Sequence, residues 1–488
     1  MTNITEGHPN FKTFERTVFD IMCTIACQLM SYYLEMRDKS IMAMRDTKEY
    51  RFIDRREATI KTLMGEVRYN RGYYRRTSGG YIFLLDVAMG IDNNYGLVSE
   101  NLAEQIIVES TEKSFRKTAA GISNNTGQII SAMGAWNVVQ KYGKNIEQQE
   151  LRLQELDRNE STGHLGNIST PVLFSEYDDV WLSRQPEKRH KKSDKEEKPK
   201  KIGKKPMHVG IAYTGWEQSK DGRYSTTDKI AYASYGKASV FVSVFESLLR
   251  QQFDMDVVDQ RLINGDGESW IRTAAEETDS ILQLDPYHKG QAVVKAVKDK
   301  SDRQLINAAI SENDVEKTLA IIGALASTTT EVKTQEKLEK LYEYFDNNKD
   351  IFLTWQERGV ELPAPPEGIS YRNMGVMEPN NCSLITQRMK HRKGSWTEKG
   401  ADRMAKILCI KNTIGFNVML GTLPEPDSTR SWIEPLSAAQ TPKHDGKGYG
   451  ADWLQAPMPF EQAFKTNGRD AIRGMLGMRP LSELPIAF

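Results

Sequence analysis

The segment Ser183–Pro206, SRQPEKRHKKSDKEEKPKKIGKKP, constrains this chain more than any other stretch. It is almost all charge and has almost no apolar side chain, so it cannot bury a core. A chain of 488 residues carrying such a segment is expected to build its apolar interiors on either side of it. The simplest reading is a flexible Lys-rich linker over 183–205. A basic arm lying along a polyanion is the functional alternative.

Length predicts two to four domains. Hydrophobic residues make up 39% and charged residues 27% of the chain, the balance of a soluble globular protein. No run of 18 apolar residues occurs, so no membrane span is expected. The start, MTNITEGHPNFK, lacks the basic and apolar parts of a signal peptide. Cys23 and Cys27 lie four apart on one predicted helix, and Cys382 and Cys409 are isolated, without zinc-ligand spacing. A reduced cytoplasmic protein without structural metal follows. The 66 basic and 66 acidic side chains cancel, so affinity for a polyanion would come from local patches.

Before the linker, Phe11, Phe14, Val18, Ile21, Met22, Ile25, Leu29, Tyr33 and Met36 recur at spacings of three and four, predicting a helix to about Arg45. Its stripe reads as core-facing or as a partner-helix face. TIKTLMGEVRYNRGYY, from Thr59 to Tyr74, alternates like a hairpin bent near Gly65. Arg68 and Arg71, among other arginines, and interleaved tyrosines either meet a phosphate backbone or cover a solvated ribbon. From Ser99 the pattern turns helical. Ser114–Ile122, a polar turn at Ser123–Thr126, and Gly127–Tyr142 ended by Gly143 outline a helix-turn-helix, followed by a charged helix over Glu147–Asn159. In that outline Arg116 and Lys117 are candidate DNA contacts. These features define an N-terminal helix and basic hairpin over 1–98, and a helix-turn-helix-like region over 99–182.

After the linker, KPMHVGIAYTGW (Lys205–Trp216) reads as the founding strand of the working domain, with KIAYASY as a second strand. A helix over Ala238–Phe253 and a strand over Val257–Gly265 lead to Asp266. A short strand, Ile281–Leu284, ends at Asp285-Pro286-Tyr287-His288. From Gly290 to about Trp355 the pattern is purely helical, and Pro363, Pro365 and Pro366 break the chain before Glu378. The core then spans 206–289 and 361–412, split by an all-α insertion over 290–360. A Gly/Pro-rich tail over 413–488 closes with a short predicted helix, Pro459–Leu476, and carries no recognisable chemistry.

Asp266 in NGDGESW is either a plain Asp-Gly turn or a carboxylate at a strand end. Glu378 in GVMEPNN is either a helix-start acid paired with the dipole or a metal ligand. The cations Arg388, Lys390, Arg392 and Lys393, with Trp396 beside them, suit a negatively charged polymer. Asp285 and Pro286 form a strong helix start, with His288 in its first turn. Two carboxylates about 110 residues apart, on elements around one sheet, follow the order of RNase H-like enzymes that cut nucleic acid. Such cleavage uses two Mg²⁺ ions on carboxylate oxygens.

Together these motifs resemble the bacterial insertion-sequence transposases of the ISLre type, relatives of the Mutator-like DDE transposases. The resemblance runs through TIKTLMGEVRYNRGYYR, LLDVAMGI, SFRKTAAGIS, HVGIAYTGW, NGDGESWI, LDPYHKGQAV and GVMEPNN…RMKHRKGSWTEKGA, nearly to Ile410. It implies a multidomain α/β protein with an RNase H-like mixed-sheet core, an all-α insertion, and an α-rich DNA-binding N-terminal region containing a β-hairpin. It implies Asp266 and Glu378 as metal-holding catalytic acids, with Asp285 and His288 supporting them or touching DNA. Its partners are element-end and target duplexes bound by a homo-oligomer in the cytoplasm at the nucleoid, with no membrane. The first acid is missing from the expected place: Thr214 lies there, and Glu217 is the tentative substitute. Either Glu217 completes an active transposase, or the chain is a transposase-derived DNA-binding protein with impaired catalysis.

Overall fold

A computed structural model of the chain describes residues 10–91, 98–158, 166–186, 203–391 and 394–413. The tail helix expected over Pro459–Leu476 lies outside them, as do Arg392 and Lys393. The described residues form two compact units, one ending at Met89 and the other beginning at Gly90.

The first unit holds α1 (Phe11–Met44), a long hairpin of β1 (Tyr50–Thr62) and β2 (Gly65–Arg76), a short β3 (Tyr81–Ile82) and α2 (Leu84–Ala88). Thr62 pairs with Gly65 at the bend, where Gly65 adopts φ 141°, a conformation glycine tolerates best. Alternation buries Val67 and Tyr69 of β2, and the buried face switches so that Tyr74 is buried as well. The buried Asp38 of α1 accepts hydrogen bonds from the Gly72 backbone N–H at 2.9 Å and from Arg55 at 3.0 Å. The apolar stripe of α1 does not face this core. Cys23, Leu34 and Asp38 are the buried positions, while Phe11, Val18, Met22, Leu29, Tyr33 and Met36 are exposed. At 3.6 residues per turn the two sets lie on opposite faces. An 18-residue window of α1 is apolar enough, and the helix long enough, to cross a bilayer by length and composition alone.

The second unit begins with α3 (Glu100–Glu112), α4 (Phe115–Asn125) and α5 (Ala132–Arg158). Here the expected helix-turn-helix boundaries shift. Helix α4 runs through the predicted polar turn, and α5 runs straight past Gly143. A side chain at Gly143 would meet Arg403 Cβ at 2.4 Å, so the glycine serves close helix packing and not a helix end.

The core sheet has five strands: β4 (Val172–Leu182), β5 (Lys205–Tyr213), β8 (Ile230–Ser234), β9 (Gln260–Gly265) and β10 (Ile281–Leu284), in the order β10-β9-β4-β5-β8. Strand β4 is central, antiparallel to β5 and parallel to β9. This corrects the sequence reading at two points. Lys205–Trp216 is a neighbour of the central strand, which lies before the Lys-rich segment. That segment joins two adjacent antiparallel strands, with Leu182 paired to Lys205, and so separates no domains. Its composition excludes burial, which holds for a long hairpin connection as much as for a tether.

A second, small sheet contains β6 (Gly215–Gln218), β7 (Tyr224–Thr227) and β11 (Ile369–Ser370). Helices α6 (Ala238–Gln252) and α7 (Ser269–Glu277) connect the later core strands. Tyr177 of β4 packs on Phe241, Phe245 and Trp270, so odd-numbered β4 residues face these helices. After β10 come α8 (Pro286–Ala296), α9 (Lys300–Ser311), α10 (Val315–Thr328) and α11 (Val332–Asp346). The chain returns through β11 to α12 (Met377–Asn381), a π-helical turn at Cys382–Thr386, α13 (Gln387–Met389) and α14 (Glu398–Lys411). Pi turns inside helices recur at functional sites.

Candidate active site

Strand β4 reads VLFSEYDDVWL, and nearly all of it is buried. Glu176 and Asp178 share one face and Asp179 the other, because strand side chains alternate. Glu176 pairs with Asn264 across the parallel β4–β9 register. Two residues on, the same register sets Asp178 beside Asp266. In the β9–β10 pair, Gly265 is level with Leu284, so Asp285 follows at the same height as Asp266. Three carboxylates therefore stand level across three parallel strands, Asp266 and Asp285 just past the C-terminal ends of β9 and β10 and Asp178 within β4, near the edge where open α/β sheets bind ligands.

Burial pushes the Asp178 carboxyl up to about 6; His288 opposes the shift, and Asp266 and Asp179 add to it. Asp266 is also raised, first by burial, with Asp179 adding to the shift. Glu268 rises to about 6 through burial and the Asp266 and Asp179 charges. Asp266 is held from several sides. Its carboxylate accepts from the Glu268 N–H at 3.0 Å and its carbonyl from the Tyr344 hydroxyl at 2.9 Å. Gly267 turns with φ 86°, and a Cβ there would meet Asn348 at 2.0 Å. Tyr344 belongs to α11, so the helical segment after β10 buttresses the acid-bearing turn.

Helix α12 brings Glu378. Asn381 donates to Asp178 from the same helix, and residues three apart share a helix face. Burial, the Glu378 charge and a hydrogen bond with Glu378 push the Tyr287 phenol up, with Asp178 and Asp285 contributing. Glu378 itself is exposed. His288 places Nε2 3.6 Å from Asp178 Oδ1. Asp285 caps α8, accepting from the Tyr287 N–H at 2.9 Å, with Pro286 in the first turn. Asp266 and His288 thus lie near Asp178, and Asp178 is linked towards Asp285 and Glu378 through Tyr287 and Asn381. As arranged, no three acidic, histidine or cysteine side chains among the described residues form a group that could hold a metal ion.

Glu217, the tentative first acid, is not brought here. It lies exposed in the small sheet, opposite Ile369 and Ser225. Thr214 is buried and donates to Asp228 at 2.9 Å. The acid that the fold sets beside Asp266 is Asp178, which the sequence reading missed. The available signal was three acids, Glu176, Asp178 and Asp179, inside an otherwise apolar run, where buried charge demands compensation. On the other face, Asp179 meets His208 Nδ1 at 2.7 Å.

The proposed DNA contacts divide. Arg116, Lys117 and Lys390 are exposed, and so is Arg68, which bonds Glu66 at 2.9 Å. Three others are structural. Arg71 pairs with Asp86 and stacks 3.8 Å over the Phe83 ring. Arg388 is buried and donates to the Ser110 carbonyl at 2.7 Å. Trp396 is buried, its indole N–H on the Met389 carbonyl at 3.1 Å.

The chain belongs to the uncharacterised protein family UPF0236, which it matches over residues 4–418. No curated protein matches it. Among solved structures it is similar to a Drosophila P element transposase strand transfer complex, at 8% identity and TM-score 0.21, over 67% of this chain and 82% of that one. The Mos1 strand transfer complex aligns at 9% identity and TM-score 0.12, over 52% and 78%. A pre-cleavage Mos1 transpososome aligns at 8% and 0.12, over 52% and 80%. A shared fold does not follow from scores this low.

Proposed function

We propose that the chain is a DDE-type transposase that cuts and joins DNA at element ends, with Asp178, Asp266 and Glu378 as its three acids. The observation that carries this reading is the register of β4 on β9, which sets Asp178 beside Asp266, together with the tie from Asp178 to the helix bearing Glu378. The strand order β10-β9-β4-β5-β8, with β4 antiparallel to β5 and parallel to β9, is the connectivity of an RNase H-like core and supports the same reading. The DNA-binding alternative rested on a missing first acid, the place this reading gives to Asp178.

Carboxylate oxygens are the donors that hard divalent cations take. Crowded carboxylates that raise each other's proton affinity are relieved by positive charge between them. Asp178 and Asp266 would hold Mg²⁺, with Glu378 approaching from α12. Mg²⁺ bound there supplies Lewis-acid stabilisation of the phosphodiester oxygens. The chain's own contribution is to fix Asp266 through Tyr344 and Gly267, and to hold Asp178 between Asn381 and His288. Arg116, Lys117, Arg68 and Lys390 remain candidates for phosphate contact. Assembly as a homo-oligomer on duplex DNA, in a bacterial cytoplasm, goes with this reading.

The test is nicking of duplexes carrying the element's terminal repeats, in Mg²⁺ or Mn²⁺. Wild-type protein should nick, and Asp178→Asn should not. Equal nicking by both would overturn the assignment of Asp178, and no nicking by wild type under any metal would overturn the enzyme reading.

A further inference from the structure

Glu176 is fully buried, two residues before Asp178 on the same face of β4. Five donors converge on its carboxylate. Tyr213 gives its hydroxyl at 2.6 Å and Asn264 its side-chain amide at 3.1 Å. The other three are consecutive backbone N–H groups of Gly375, Val376 and Met377, at 3.0, 3.1 and 3.0 Å. Successive N–H groups of this kind make a nest for an anion. Gly375 shapes the nest with φ 122°, where an L side chain would be strained. Burial alone raises a carboxyl such as this one. The hydrogen bonds from Gly375, Tyr213 and Val376 oppose that rise.

The nest leads directly into α12, whose second residue is Glu378. Four residues after the last nest N–H, Asn381 donates to Asp178. Two carboxylates of one strand, Glu176 and Asp178, therefore grip the two ends of the same five-residue helix. A helix this short does not hold itself, so its position comes from these grips. The link extends across the sheet. Asn264 accepts from Gln283 at 3.0 Å, and Gln283 accepts from the Trp355 N–H at 3.0 Å. This buried polar chain ties the returning segment to β9 and β10 as well.

We infer that Glu176 is a positioning residue for Glu378: its two carboxyl oxygens gather the 375–377 amides and set the third acid against the Asp178–Asp266 pair. This rests on the reading of the site as a metal-dependent DNA-cutting centre. It differs from a general core role because three of its five donors are the amides that open one short helix.

The experiment compares full-length wild type, Glu176→Gln and Gly375→Ala by amide hydrogen exchange and by Mn²⁺-dependent nicking, with duplex affinity measured alongside. In Glu176→Gln one oxygen becomes a donor facing donors, a mismatch that costs the site its geometry. Amides 375–381 should exchange at least about tenfold faster while β4, β5 and β9 keep their protection. Nicking should fall by about thirtyfold or more, the range seen for partners of metal ligands, with duplex affinity unchanged. Gly375→Ala should reproduce both effects from the exposed side if Glu176→Gln fails to fold. Unchanged exchange at 375–381 in a folded variant would overturn the inference whatever the activity. Faster exchange with nicking within about threefold of wild type would overturn it too, because the helix would then move without consequence. If wild-type protein does not nick at all, the enzyme reading fails, and the exchange result alone decides whether Glu176 holds α12.

Discussion

Strands β4 and β5 lie side by side, and they differ in where the charge sits. Strand β5, KPMHVGIAY, carries no acid. Its neighbour β4 carries Glu176, Asp178 and Asp179 and is the more buried of the two. Counted by acids alone β5 is the better core strand, yet β4 is central and carries the buried carboxylates. An apolar strand can be buried at no cost beyond order. An acidic one stays buried only where partners meet each charge. Here Glu176 has five donors, Asp178 has Asn381 and His288, and Asp179 has His208. The strand that looks less suited to a core is the one on which the other elements converge.

The largest expected effect breaks this comparison most cleanly. Asp178→Asn on β4 should reduce metal-dependent nicking by at least about a thousandfold, and Asp266→Asn should match it. Glu217→Gln, just past β5, should leave nicking within about threefold of wild type. A reversal of these two results would restore the site to the end of β5.

The crowding of carboxylates predicts a cost in stability. Asp178 and Glu268 bind protons more tightly in the folded chain than in the unfolded one, with folded values of about 6. Between the ordinary carboxylate range and about 6 the folded state therefore holds more protons. Without divalent metal, stability should fall as pH rises through that window. Asp178→Asn removes part of the penalty and should raise the melting temperature at pH 7 by a few degrees. A melting temperature that climbs from pH 4.5 to 7 without metal, with Asp178→Asn less stable than wild type, would contradict the account. Because metal binding requires ionised carboxylates, Mn²⁺ affinity should rise across the same window.

The basic residues supply the smallest effects and a second contrast. Alanine at Arg116 or Lys117 should weaken duplex binding a few-fold and lower the salt slope by about one per contact. Arg71→Ala and Trp396→Ala should lower thermal stability instead, by about 1–3 kcal/mol, since one loses a half-buried ion pair and the other a buried aromatic. Equal loss of DNA affinity in both groups, with stability unchanged, would put Arg71 and Trp396 on the DNA surface.

Local signals account for what was readable in the sequence. The hairpin, the helices after His288, the strand ending at Asp266 and the cap at Asp285-Pro286 all announce themselves through alternation, 3.6-residue period or turn chemistry. Strand order does not. That Leu182 pairs with Lys205 across a charged segment is a non-local fact, and low hydropathy pointed to a tether. The same gap hid Asp178, because only the sheet shows that the acids of β4 are buried. Arg388 and Trp396 misled for the opposite reason: a cationic run with an aromatic suits nucleic acid, but the fold turns those two inward.

The most direct test of the central claim, that the site is organised on β4 around Asp178, is a Mn²⁺ titration by calorimetry at pH 7.5. Wild type, Asp178→Asn and Glu217→Gln would be compared as folded full-length chains. Wild type and Glu217→Gln should bind alike, and Asp178→Asn should bind at least about tenfold more weakly. Undiminished binding by Asp178→Asn, or its loss in Glu217→Gln, would contradict the claim.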